Sequence, residues 1–164
     1  MPAITMIRPR GAVLPAHPLP RGFSFKLFES TPNLLYEKAW ARVEHSVNAF
    51  PTVDEALAHF HREFSPYPDE LSRRMVFVID DTTNEPIATI TAWWGYMGVH
   101  RRPRLHWLSL LPTYHGRGIG KALVAEITLL MTEIDGEDIF YLITGEHRVK
   151  AMDIYKWAGY CVDN

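Results

Sequence analysis

The chain carries a single cysteine, Cys161, among its 164 residues. One thiol cannot close an internal disulfide, so the fold must stand on packing, and nothing calls for an oxidising compartment. No apolar run approaches the length that crosses a bilayer. Residues 1–22 contain five prolines, which interrupt any apolar core of a secretory signal. Neither sign of charge dominates: 17 Lys and Arg face 19 Asp and Glu, a net charge of −2. No global basic field therefore recruits nucleic acid or anionic lipid. Internal repeats and low-complexity tracts are also lacking. With 47% hydrophobic and 22% charged residues, the composition is that of a soluble domain able to bury a core. A cytoplasmic protein is the expectation.

Local patterns predict an order of elements. Residues 1–22 read as a proline-rich extended arm, followed by one domain over 23–164. FSFKLFES (23–30) alternates apolar and polar residues and predicts a half-buried strand. Thr31-Pro32 signals a helix start, with the helix running to about Val47. Thr52 and Glu55 form a capping box for a second helix. MVFVID (75–80) and PIATITAWW (86–94) predict two strands joined by the polar turn DTTNE. The segment GYMGVHRRPR reads as a loop before a strand over 104–111. A helix from about Gly118 to Ile134 has one apolar stripe through Leu123, Val124, Ile127, Leu130, Met131 and Ile134. IFYLIT (139–144) is apolar throughout, like a strand covered on both faces. A last helix spans Arg148–Ala158 and stops at Gly159. The order β-α-α-β-β-β-α-β-α describes an α/β mixed sheet with helices on both faces.

Between strand and helix lies LPTYHGRGIGKAL, with glycines at 116, 118 and 120. A Walker phosphate loop fails here: the spacing from Gly116 to Gly120 is one residue short, and Ala122 replaces the metal-binding hydroxyl. The dinucleotide fingerprint fails as well, because Leu123 stands where its third glycine belongs and three consecutive strands precede the loop.

Leu110-Leu111-Pro112-Thr113-Tyr114-His115-Gly116-Arg117-Gly118-Ile119-Gly120 instead resembles the V-x-P-x-Y-R-G-x-G-I-G signature of the GCN5-related N-acetyltransferase (GNAT) superfamily. His115 replaces the usual Arg or Gln. A second motif of that family, A-x-x-x-Y-x-x-x-G-F, is matched by Ala151, Tyr155, Gly159 and Tyr160. The resemblance spans residues 23–160 and implies a mostly antiparallel sheet of about six or seven strands splayed at an acetyl-CoA cleft. It implies that residues His115, Gly116, Arg117, Gly118, Ile119, Gly120 and Lys121 cradle the pyrophosphate of acetyl-CoA. Unpaired N–H groups at a helix N-terminus suit an anion without any metal. Leu108, Ser109 and Leu110 would offer backbone groups to the pantetheine arm, and a backbone N–H near Leu110 would stabilise the oxyanion.

Acyl transfer to an amine needs the amine deprotonated, the oxyanion stabilised and the thiolate protonated. The resemblance assigns the thiolate acid to Tyr155. The glutamate that some relatives place on the strand after the glycine helix is Ile143 here. Positions used by others fall on Arg104 and His106, which share a strand face. His106 titrates near working pH and is the candidate base, acting through a water, with Glu146 as runner-up. Arg104 meets an acidic group on the substrate or is solvated. Arg148 replaces the asparagine that often opens the second motif and is free for a CoA phosphate or the acceptor. Relatives continue into further strand after this motif, so the acceptor side is expected from the N-terminal arm, from a second subunit, or open.

The remaining candidates are weak. His59 and His61 face different ways on a helix and are not a metal pair. Of Trp93 and Trp94, one packs in the core and the other is available to wall an acceptor pocket. The run His100–Arg104 reads as a solvated loop. Together these readings predict an acetyl-CoA-dependent N-acetyltransferase acting on a primary amine by direct attack, a monomer or homodimer without metal, nucleic-acid or membrane partners. The alternative is a catalytically silent acyl-CoA-binding module on the same fold.

Overall fold

The computed structural model describes residues 2–164. The chain runs β1 (Ala3–Arg8), β2 (Phe23–Leu27), α1 (Leu35–Ser46), α2 (Val53–Glu63), α3 (Pro68–Arg74), β3 (Met75–Asp80) and β4 (Glu85–Met97). It continues through β5 (His100–Leu110), α4 (Ile119–Asp135), β6 (Phe140–Gly145), α5 (Val149–Trp157) and β7 (Cys161–Val162). The strands form one seven-stranded sheet in the order β2-β3-β4-β5-β6-β1-β7. All neighbours are antiparallel except β5 and β6.

Period-two alternation divides the core between the two faces of the sheet. Val76 and Val78 of β3 join Leu123, Val124, Ile127 and Met131 of α4 on one side. Phe77 and Met75 join Trp40, Phe60 and Phe64 on the other, under α1 and α2. Of the apolar stripe foreseen on α4, Leu123, Val124, Ile127 and Met131 are buried while Leu130 and Ile134 are half-buried, and Trp93 packs in the α1–α2 core while Trp94 stacks on it at 4.1 Å. The Thr52 hydroxyl accepts from the Glu55 N–H at 3.1 Å, the cap read from the sequence. The first helix starts later than Thr31-Pro32 because Leu34 takes a left-handed conformation at φ 55°.

Three elements are added to the predicted order, α3, β1 and the two-residue β7, and two predicted strands run longer. Helix α3 carries Pro68 in its first turn. The segment read as a loop, GYMGVHRRPR, continues both strands: Met97 pairs with His100 around a tight turn at Gly98 (φ 62°). The segment read as an arm divides, since Ala3–Arg8 is a sheet strand between β6 and β7. Met6 is fully buried there, and Arg8 is buried with its Nε donating to the Ala158 carbonyl at 2.7 Å. The flanking Pro2 and Pro9 end the strand without entering it, which is why proline density hid it.

Two features of β5 shape the space around it. It pairs with β6 only at Arg104↔Tyr141, after which the strands part. Its pairing with β4 shifts register between Thr89 and Thr91, opposite Trp107, which sits at φ 55°. Trp107 is a bulge residue, and the bulge resets which side chains share a face.

Candidate active site

A cleft of about 310 Å³ opens where β5 and β6 separate. Its walls include Arg104, His106 and Leu108 from β5, Ile143 from β6, and Arg148 and Tyr155 from the start and body of α5. Pro2 and Ala3 close one side, so the N-terminal segment does build part of this wall. Ile143 is 47% exposed because it faces this space rather than a covering helix. A larger surface groove, about 530 Å³, runs along β2 and contains none of the candidate residues.

Without a bulge, His106 and Ser109 would point to opposite faces. With Trp107 as the extra residue, both face α1 and α2, and each meets a carboxylate. His106 Nε2 hydrogen-bonds Glu63 Oε1. Trp107 Nε1 donates to the same oxygen at 3.1 Å, and His59 Nε2 lies 2.8 Å from Glu63 Oε2. Burial pushes the Glu63 carboxyl up, but the hydrogen bonds from His106, Trp107 and His59 outweigh it and hold it down at about 2. Burial lowers the His106 pKa, opposed by Glu63 and reinforced by the Arg104 charge. The consistent state is a Glu63 carboxylate accepting from a neutral His106 protonated on Nε2. Nδ1 then keeps a lone pair, as a base requires.

Ser109 Oγ donates to Glu44 Oε2 at 2.9 Å. Glu44 is fully buried, and its Oε1 has no partner among the described residues. Burial pushes its carboxyl up to about 8, against the Ser109 bond and the Arg148 charge, which pull it down.

Tyr155 is buried, and desolvation raises its phenol to about 12 against the pull of Arg148. It is protonated across the working range, as an acid must be. Arg148 Nη2 donates to the Leu108 carbonyl at 3.2 Å.

At the other end of β5, Gly118 is the N-cap of α4 at φ 82°, and no side chain caps the first turn. The side chains here are engaged elsewhere. His115 Nε2 lies 3.0 Å from the Leu110 carbonyl, the Arg117 guanidinium covers Tyr114 at 5.1 Å, and Lys121 Nζ covers Trp157 at 5.2 Å. What the loop offers is therefore backbone N–H. A Cβ on Gly120 would lie 3.1 Å from Ile154, and one on Gly118 would lie 3.0 Å from His17 Nε2. Bare, uncapped backbone in this setting fits the pyrophosphate of a CoA thioester.

The profile of the Acetyltransferase (GNAT) family matches residues 39–160. The chain belongs to that family. GNAT architecture also recurs in solved structures. A GCN5-related N-acetyltransferase from Sphaerobacter thermophilus is 18% identical, with a TM-score of 0.71 over 98% of this chain and 48% of its own. One from Kribbella flavida is 20% identical, with a TM-score of 0.62 over 98% of this chain and 54% of its own. The NatC complex bound to Gag peptide and CoA is 19% identical, with a TM-score of 0.60 over 82% of this chain and 81% of its matched chain. Such identities speak for the fold alone, and this chain spans about half the length of the first two. No curated protein matches in sequence.

Most of the site residues read from the sequence fall into two groups, while Ser109 turns to Glu44 and Leu110 ends β5. His106, Leu108, Arg148 and Tyr155 share the cleft, whereas 115–121 lie beyond the end of β5. Glu146 does not line the cleft with them. Sequence reasoning missed Glu63 and Glu44. The one available hint for Glu63 was its place four residues after His59 on one helix. Among the described residues no cluster of His, Cys, Asp and Glu is placed to hold a metal, and no helix is long and apolar enough to cross a membrane.

Proposed function

We propose that the protein transfers an acetyl group from acetyl-CoA to a primary amine by direct attack in a ternary complex. The observation that carries this reading is the parting of β5 from β6, which sets Tyr155 and His106 in one cleft upstream of an uncapped, glycine-built helix start. Backbone N–H groups of residues 116–121 hold the pyrophosphate. The backbone of Leu108, Ser109 and Leu110 runs beside the pantetheine arm, and a backbone N–H near Leu110 meets the oxyanion. His106 Nδ1 takes a proton from the amine through a water, with Glu63 fixing the tautomer and ring. Tyr155 gives its proton to the departing thiolate. No metal takes part, and the chain works in the cytoplasm as a monomer or homodimer.

The test is calorimetric titration of the purified protein with acetyl-CoA and then with CoA, followed by thiol release across a panel of amines. Saturable binding at one site per chain with turnover supports the reading. Binding without turnover of any amine leaves a silent acyl-CoA-binding module. No binding of either compound overturns it.

A further inference from the structure

Arg104 stands out among the arginines near the cleft. Its neighbour Arg102 is matched by Asp138 at 2.8 Å, and Arg74 by Asp135 at 3.1 Å. Arg104 has no carboxylate partner among the described residues, and its Nε is buried without a hydrogen-bond acceptor. Its guanidinium carbon lies 5.8 Å from the centre of the Tyr141 ring, at the last pair that β5 and β6 make. The guanidinium is partly buried and among the described residues meets only the neutral Tyr141 phenol, so its Nε is left without an acceptor, a cost that proteins tolerate where a ligand completes the pairing.

The fixed charges on the cleft wall are those of Arg104 and Arg148, both positive. Arg104, Arg148, His106 and His147 line it, and no Asp or Glu of the described residues does. A polycation would enter such a space against repulsion, whereas a carboxylate would gain charge-assisted bonds. CoA does not supply that anion at Arg104. At about 3.3 Å per residue, the six steps from Arg104 to Leu110 place Arg104 roughly 20 Å along the strand from the glycine loop. His106, by contrast, is two residues away on the same strand face, about 7 Å along the strand.

We propose that the amine acceptor carries a carboxylate close to its amino group, as a free amino acid does, and that Arg104 binds this carboxylate while His106 faces the amine. Arg104 is thus a specificity residue of the transfer reaction, and the inference rests on the proposed acetyl-CoA chemistry. Arg104 moves no proton. It orients the acceptor and rejects amines that lack the anion.

The experiment first measures acetyl-CoA binding by calorimetry, which tests the underlying reading separately. Thiol release is then followed with amino acids, their carboxamides and simple diamines, each over a range of pH. That range is needed because removing Arg104 also removes its repulsion of His106. The expected result is an amino acid preferred over its carboxamide by at least about tenfold in kcat/KM, as for loss of one charged hydrogen bond. Arg104→Gln should abolish that preference with acetyl-CoA affinity unchanged, and Arg104→Lys should restore part of it. The inference is overturned if carboxamides or diamines react as well as amino acids. It is equally overturned if acetyl-CoA binds and no carboxylate-bearing amine is acetylated, or if Arg104→Gln keeps the full preference.

Discussion

Trp107 donates its indole N–H to Glu63 Oε1 at 3.1 Å, and it can do so because it is the bulge residue of β5. The same bulge turns His106 onto that carboxylate. One backbone irregularity at φ 55° thus assembles a histidine and its orienting group from segments far apart in sequence.

Glu63→Gln tests this pairing. The carboxylate raises the His106 pKa against burial, so its loss should move the acidic limb of the pH–rate profile to lower pH. His106→Ala should remove that limb and lower kcat by about 10²–10⁴-fold. An unchanged profile in both variants would take His106 out of the mechanism.

Tyr155→Phe should keep acetyl-CoA affinity and lower kcat by about 10²–10⁴-fold. Because the phenol is held at about 12, the wild type should show no basic limb from it below roughly pH 11. Equal turnover in the variant, measured by thiol release, would exclude Tyr155 as the acid.

Glu44 makes stability depend on pH in the opposite sense to a salt-bridged acid. Its carboxyl goes from 4.5 when unfolded to about 8 when folded, so the folded state binds the proton more tightly. That stabilisation is complete below pH 4.5 and fades as pH rises through about 8. Glu44→Gln keeps an acceptor for Ser109 without the titration. The Tm of the wild type should fall more steeply than that of the variant between pH 5 and 8. Parallel curves would refute the raised value.

Gly118→Ala should weaken acetyl-CoA binding while leaving kcat at saturation near wild type. The left-handed conformation costs an L-residue about 1–2 kcal/mol, and the new methyl would press on His17 at 3.0 Å. A loss on the order of tenfold in affinity is expected. Titration calorimetry beside a kcat measurement separates this from a catalytic defect.

Much of this was legible locally. The glycine turn, the Thr52 cap, the α4 stripe and the Tyr155 motif are each contained in a few consecutive residues. The bulge was not, because Trp107 reads as an ordinary strand aromatic until its neighbours are paired. Glu63 and Glu44 lie 43 and 65 residues before their partners, and on amphipathic helices they look like any other acid. The hairpin at Gly98 and strand β1 were hidden by proline and arginine, which mask alternation when the runs are short.

Strand β1 also bears on how the molecule comes together. Ile7 pairs with Cys161 and Arg8 with Phe140, so β1 must wait for partners more than 130 residues further along the chain. Such closure is slow, because a long chain must lose its freedom before the contact rewards it. Until then β6 has an open edge and Met6 has no core to enter, which leaves the nascent chain exposed to aggregation. Since Pro2 and Ala3 also wall the cleft, the cleft is complete only once this long-range pairing has formed.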